Sequence, residues 1–210
     1  MNLVPFVIEK GANGERCYDI YSRLLNDRII FLGDEINQDV ATSIVAQLLL
    51  LSQQSTDEDI RFYIMSPGGD ASAALAIYDT MQNIPCPVST YCIGMAMSAA
   101  ALLLCAGTKG KRYSLPSSRI MIHQPSGFAE GQASDVSIEA DEIKVIQKYY
   151  YDRMSKHTGQ RVKQVEEDCD RNCYMSADEA KKYGLVDYVL RTGLPVPGRK
   201  RKSPEVYGIP

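Results

Sequence analysis

Short apolar runs alternate with helix-compatible stretches along most of this chain, and that rhythm restricts the fold more than any other feature. Arg28-Ile29-Ile30-Phe31-Leu32-Gly33 reads as a strand ending on glycine. Asn37 is placed to cap a helix whose apolar face includes Val40, Ile44, Leu48 and Leu51. Phe62-Tyr63-Ile64-Met65 reads as a second strand, stopping at Ser66-Pro67-Gly68-Gly69, and Ala71 to Gln82 is helical in composition. Val88 to Ile93 is a third strand, followed by a helix from Ser98 to about Ala106, and Arg119 to His123 is a fourth strand. Such alternation predicts an α/β fold with parallel strands and right-handed crossovers.

Beyond residue 126 the pattern loosens. Gly127 to Ala133 is a glycine-bearing extended segment, and a long helix runs from about Ser134 to His157. Its apolar positions Val136, Ile138, Ile143, Ile146, Tyr150 and Met154 trace one face only loosely, and Tyr149-Tyr150-Tyr151 spread aromatic surface over several faces. A helix of this kind calls for a second partner, so it is a candidate oligomer contact. Ser176 and Glu179 form a capping box, Gly184 is placed to end that helix, and Leu185 to Leu190 reads as a last strand. From Arg191 onward come Pro195, Pro197, Gly198, the run Arg199-Lys200-Arg201-Lys202, Pro204 and Pro210, which predict a disordered, solvated tail.

The 210 residues predict one domain with a real core, and a net charge of -3 gives no reason to expect a nucleic-acid partner. No apolar run approaches the roughly 20 residues that span a bilayer. The start, Met1-Asn2-Leu3-Val4-Pro5, lacks signal-peptide features, so a cytoplasmic location is the expectation. The six cysteines form no CxxC pair, and with only two histidines present a bound metal is not expected. Free thiols are the expected state, and no cysteine sits in a motif that supplies a base.

The residues with chemical promise are few. Ser98 lies in Gly94-Met95-Ala96-Met97-Ser98-Ala99-Ala100, between a strand and a helix. His123 closes a strand before Gln124-Pro125, the usual place for reactive side chains in α/β sheets. A hydroxyl becomes a nucleophile when a neighbouring imidazole removes its proton. The amides of Gly68-Gly69, after a strand and before a helix, can lie open to an oxyanion, with the Ala99 amide as second donor. Taken alone, the glycine pair is equally a tight turn, and a lone strand-end histidine is as often structural. His157, before Thr158-Gly159, reads as part of a helix end rather than as chemistry.

Several segments in fixed order carry a family resemblance. They are Ser66-Pro67-Gly68-Gly69, Gly94-x-Ala96-x-Ser98, Gly107-Thr108-Lys109-Gly110-Lys111-Arg112-Tyr113, Arg119-Ile120-Met121-Ile122-His123-Gln124-Pro125, and Met175-Ser176-Ala177-x-Glu179-Ala180-x-x-Tyr183-Gly184-Leu185-Val186-Asp187. From about Leu3 to Leu190 the chain resembles the ClpP family, the self-compartmentalising serine peptidases of ATP-dependent proteolysis. The resemblance implies a ClpP/crotonase-like ββα spiral with a protruding handle helix from Ser134. It also implies assembly into rings of seven or a stack of fourteen. The family's nucleophile falls on Ser98, its base on His123, and its oxyanion donors on the amides of Gly69 and Ala99. Asp170 and Arg171 match its inter-ring ion-pair residues. Leu48, Tyr63, Leu115 and Leu190 match the apolar lining where an AAA+ unfoldase (ClpX-, ClpA- or ClpC-type) docks. The unfoldase would use the ATP, so this chain needs no cofactor, and its substrates would be unfolded polypeptides.

The departures from the pattern are informative. The family's triad acid is an aspartate, but here the segment reads Asp168-Cys169-Asp170-Arg171-Asn172-Cys173-Tyr174. Asn172 can hold the imidazole yet offers no full charge to an imidazolium, so weak activity alone is expected. Arg61 and Asn83 stand where docking aromatics are usual, Ala99 replaces a methionine, and Phe128 a glycine. Two readings follow: a weakly active serine endopeptidase, or a mainly structural and regulatory subunit in a mixed ring with an active ClpP paralogue. A crotonase-type hydratase is disfavoured, because hydratases use paired carboxylates. The expected partition is an N-terminal axial segment over 1–17, a peptidase domain over 18–191 and the tail over 192–210.

Overall fold

A computed structural model describes residues 4–11, 14–127 and 129–193. Phe128 and the basic run at 199–202 lie outside the described residues, with most of the expected tail. The chain is a mixed α/β fold whose main sheet has seven strands: β3 (Ile29–Leu32), β4 (Ile60–Ser66), β5 (Val88–Met97), β6 (Arg112–Ser114) and β9 (Tyr188–Val189) in that order, with β7 (Arg119–Ile122) on β5 and β8 (Cys173–Ser176) on β7. The pairs β3-β4, β4-β5, β5-β6 and β6-β9 all run parallel. The parallel strands are those that the strand–helix rhythm predicts, and the arrangement is consistent with the ClpP/crotonase-like fold that the resemblance implies.

Local chemistry accounts for most element ends. The Asn37 side chain accepts from the Val40 amide at the start of α2 (Gln38–Gln54). The Asp70 side chain accepts from Ala73 at the start of α3 (Ala71–Asn83). Ser176 and Glu179 close a full capping box on α7 (Ala177–Tyr183), and Gly184 ends it in the left-handed region. The last strand is shorter than the apolar run Leu185 to Leu190. Leu185 still bonds back to Ala180 O in the helix cap, so pairing with the sheet begins only at the Asp187 amide, which donates to Arg112 O, and the strand is Tyr188 and Val189.

Elements with weak apolar periodicity escaped the sequence reading. A hairpin pairs β1 (Phe6–Gly11) with β2 (Gly14–Asp19), and α1 (Ile20–Asn26) follows it. Both hairpin strands are mostly exposed, and none of the α1 residues is fully buried. Helix α6 (Val162–Cys169) escaped it too, because it is short and buries only Val165 and Cys169.

The core lies between the sheet and its helices. All 7 residues of α4 (Ala99–Cys105) are buried. Leu102, Leu103 and Leu104 each remove a side chain worth about 1.5–3 kcal/mol from water. On the other face, five register neighbours form an aromatic ladder: Phe31, Tyr63, Tyr91, Tyr113 and Tyr188. The closest rings, Tyr63 on Tyr91, have centroids 4.7 Å apart. Helix α5 (Ala133–Thr158) is about 39 Å long at 1.5 Å per residue. Only Tyr150, Tyr151 and Met154 near its end are buried, while Ile138, Val145 and Tyr149 are exposed. No described helix is long and apolar enough to cross a membrane.

Candidate active site

One irregularity in the sheet builds the site. Strand β5 was expected to stop at Ile93 but continues through Gly94, at φ +71°, to Met97. Its first half pairs with β6 at Thr90 to Cys92, and its second half with β7 (Arg119–Ile122) at Met95 to Met97. A register shift against β4, between Ile64 and Ser66, accommodates the bend. Pairing with β7 then carries past the strand end, where the Ser98 amide donates to Met121 O at 2.8 Å. Ser98 is thereby fixed beside the end of β7, next to His123.

Across β7, β8 (Cys173–Ser176) runs antiparallel with Ile122 opposite Cys173. One step further in that register His123 faces Asn172. The ring of His123 is held from both sides: Nε2 is 2.7 Å from Ser98 Oγ and Nδ1 is 3.1 Å from Asn172 Oδ1. With Nδ1–H donating to the asparagine oxygen, Nε2 carries the lone pair and accepts from the serine hydroxyl.

Ser98 itself sits at φ 54° and ψ -123°, immediately before α4. A non-glycine residue at this positive φ is strained, and the sharp strand-to-helix turn presents its hydroxyl at the sheet edge. The adjoining Gly68 and Gly69 are at φ +96° and +144°. A Cβ on Gly68 would stand 2.5 Å from Met97 O and 2.8 Å from Ser98 Cβ; one on Gly69 would stand 2.2 Å from Ile36 O. Only glycine permits this approach of two backbones. Among the described residues the amides of Gly69 and Ala99 have no hydrogen-bond acceptor. A cavity of about 240 Å³ opens beside Ser98, His123 and Gly69, between the start of α3 and the middle of α5.

A family model for Clp protease matches residues 12–193. The chain belongs to the Clp protease family. That membership supports a ClpP-type serine peptidase.

The remaining sequence-selected residues are dispersed. Asp170 and Arg171 are strongly exposed, with Arg171 Nε 3.7 Å from Asp170 Oδ2. Tyr63, Leu115 and Leu190 share the small cluster with Leu24, Phe31 and Tyr113, on the aromatic-ladder face of the sheet. Leu48 does not: it is fully buried on the inner face of α2, in the main core, and lines no surface of this chain. An apolar helix position of this kind is filled first by the chain's own core. The pocket on this side, about 290 Å³, is instead lined by Tyr21, Leu24, Ile29 and Phe31 among others. Tyr21 and Leu24 lie on α1, which the apolar spacing does not mark as a helix. Arg61 turns its guanidinium to Asp27 O, and Asn83 donates to Asp79 O at 2.7 Å.

All six cysteines are free. Burial pushes the Cys169 thiol up to about 12, and raises Cys173 as well, so the thiols flanking Asn172 are not thiolates near neutral pH. His157 belongs to a different network. Burial, then Lys156 and Arg112, lowers its pKa to about 4, and neutral Nε2 accepts from Tyr78 Oη at 2.9 Å. As read from the sequence, it sits in the last turn of α5, which Gly159 terminates.

Proposed function

We propose that this Clp-family chain is a serine endopeptidase subunit of an ATP-dependent protease, weakly active alone, cleaving unfolded polypeptides inside a chamber. The observation that carries this reading is the 2.7 Å contact between Ser98 Oγ and His123 Nε2. Ser98 Oγ attacks the peptide carbonyl carbon while His123 takes its proton, and the proton then passes to the leaving amine. The amides of Gly69 and Ala99 receive the oxyanion. Water, activated by the same imidazole, cleaves the acyl-enzyme and restores Ser98. Asn172 sets the tautomer but leaves the imidazolium without a counter-charge, the reason for slow turnover. No cofactor takes part.

The assembly in this reading is a ring of seven or a stack of fourteen, joined through the exposed half of α5 and through Asp170 and Arg171. The segment 1–17 stands at the axial mouth, 18–191 is the peptidase domain, and the chain works in the cytoplasm. Tyr63, Leu115 and Leu190 contribute to the face that an AAA+ unfoldase contacts. The neutral Asn172, with Arg61 and Asn83 on the docking side, favours partnership with a more complete ClpP paralogue.

A fluorophosphonate on the purified protein tests the chemistry: the label is expected on Ser98, with fluorogenic peptide cleavage lost in Ser98→Ala. Mixing the protein with a paralogue whose own serine is alanine tests the partnership. Cleavage is expected to rise, and unfoldase binding to require the mixture. Labelling at another residue sinks the mechanism; tight unfoldase binding and processive degradation by this chain alone sink the partnership.

A further inference from the structure

One glutamine ties the strand of His123 to the turn of Asn172. The β7–β8 ladder ends with Ile122 opposite Cys173, and continuing it would set Gln124 opposite Arg171. Instead the Gln124 amide donates to Cys169 O at 2.6 Å, and its side-chain Nε2 donates to Asp170 O at 2.9 Å. Both carbonyls stand at the C-terminal end of α6, where the helix offers them no further donor of its own. Asp170, Arg171 and Asn172 therefore arch between two fixed feet, Gln124 on one side and the Ile122–Cys173 pair on the other. All three are exposed, and the Asn172 side chain has no hydrogen bond among the described residues besides the one to His123. Burial does not hold Asn172 in place; the feet of the arch do.

A carboxamide donates at one end and accepts at the other, so the foot on Asp170 depends on which way Gln124 points. Gln147, on α5, decides that. Its Nε2 serves two acceptors, Gln124 Oε1 at 3.0 Å and Tyr151 Oη at 2.9 Å, one turn further along the helix. Tyr151 is 6% exposed and Gln147 is half-buried, so water competes poorly for these bonds. With Oε1 engaged by a donor, Gln124 turns Nε2 toward Asp170 O. Turned over, it would set oxygen against oxygen at Asp170 and N–H against N–H at Gln147.

We propose that Gln124 and Gln147 are positioning residues for the His123–Asn172 pair. Gln147 fixes the direction of the Gln124 carboxamide, and Gln124 fixes the distance between the imidazole and the Asn172 oxygen. A neutral asparagine holds the ring by one ordinary hydrogen bond, so the tautomer with Nε2 toward Ser98 depends on that distance. The side chain at position 147 must donate. The proposal rests on Ser98 and His123 being the reacting pair.

Substitutions of different polarity separate this from a merely structural role. Gln147→Lys keeps a donor, Gln147→Leu removes it, and Gln147→Glu, ionised at about pH 8, presents only acceptors and turns the Gln124 carboxamide over. The readout is modification of Ser98 by a fluorophosphonate: Ser98 Oγ bonds to phosphorus, fluoride leaves, and His123 takes the serine proton. Mass increase of the full chain, with peptide mapping to Ser98, gives the limiting rate and the half-saturating concentration. The limiting rate is expected to stay near native in Gln147→Lys, to fall about threefold in Gln147→Leu and about tenfold in Gln147→Glu, the scale of a hydrogen bond lost with its acceptor left unpaired. The half-saturating concentration is expected to stay constant. A field effect would run the other way, because a carboxylate near His123 favours the imidazolium and would make Gln147→Glu the fastest of the set. Gln124→Glu sets a carboxylate oxygen against Asp170 O without altering α5, and is expected to lose about tenfold too. Equal rates across the set, the field-effect order, a loss shared by Gln147→Lys, or a native rate in Gln124→Glu overturns the proposal alone. Failure of the native chain to take the label on Ser98 overturns the reacting pair and the proposal with it.

Discussion

Asn172 Oδ1 stands 3.1 Å from His123 Nδ1, so the imidazole is oriented by a neutral acceptor. Orientation and charge, the two contributions of a triad acid, are here separated. The oxygen keeps the productive tautomer, with Nε2 free to accept from Ser98. What is missing is the stronger, charge-assisted bond that forms when the ring becomes positive.

Restoring that charge gives the first prediction. Losing the acid's charge where the tautomer also becomes wrong costs about 10⁴ in kcat. Here the tautomer is right, so Asn172→Asp is expected to raise kcat by the smaller factor of about 10–30, the difference between a charged and a neutral hydrogen bond. Steady-state peptide cleavage measures it. A native rate equal to that of the variant would falsify this account of the site.

The glycine pair beside Ser98 gives the second. Gly69→Ala places a methyl 2.2 Å from Ile36 O at φ +144°. A loss of at least about 2 kcal/mol of stability is expected from crowding and backbone strain. Denaturant titration reads the stability, and phosphonate labelling of Ser98 is expected to slow by more than the folded fraction explains.

Arg112 and Asp187 form the third case. Arg112 Nη2 is 2.6 Å from Asp187 Oδ1, and both side chains are largely buried. Burial alone would raise the Asp187 carboxyl, but the guanidinium and its hydrogen bonds hold it below the ordinary value. Arg112 also donates to Cys105 O, His157 O and Gly184 O, tying β6 to the ends of three helices. Asp187→Ala leaves that cation uncompensated and is expected to cost about 3–5 kcal/mol. Thermal and urea unfolding of the variant test this.

The fourth concerns pH. His157 has a folded pKa of about 4 against 6.5 for the free side chain. Between those values the unfolded chain binds more protons than the folded one, so this residue's contribution is complete above pH 6.5 and declines as pH falls toward 4. His157→Gln is expected to flatten the pH dependence of stability in that window. A curve parallel to the native one would exclude the buried, neutral imidazole as its source.

Assembly gives the fifth. Ile138 is 66% and Tyr149 46% exposed on α5. Glutamate at either position is expected to yield smaller species in size-exclusion chromatography with light scattering, because exposed apolar surface on a long helix needs a partner. The helix is also wired to the site: Gln147 Nε2 donates to Gln124 Oε1, and Gln124 Nε2 donates to Asp170 O, next to the loop of Asn172.

The amino-acid order alone determined much of what neighbours a few residues apart govern. The Asn37 cap, the Ser176 and Glu179 capping box, the helix end at Gly184 and the strand–helix alternation rest on hydrogen bonds and apolar spacing within one or two turns. So does the choice of Ser98, His123 and the glycine pair as candidates, since each stands where a strand hands over to a turn or helix. The tertiary structure decided what depends on register between distant strands. Strand β5 bends at Gly94 and divides its pairing between β6 and β7, and β8 returns antiparallel so that Asn172 meets His123; no local pattern encodes either. Burial was settled the same way. Leu48 vanished into the core because α2 turns its apolar face to the sheet, while Gln124 and Gln147, from separate elements, came to share one hydrogen bond.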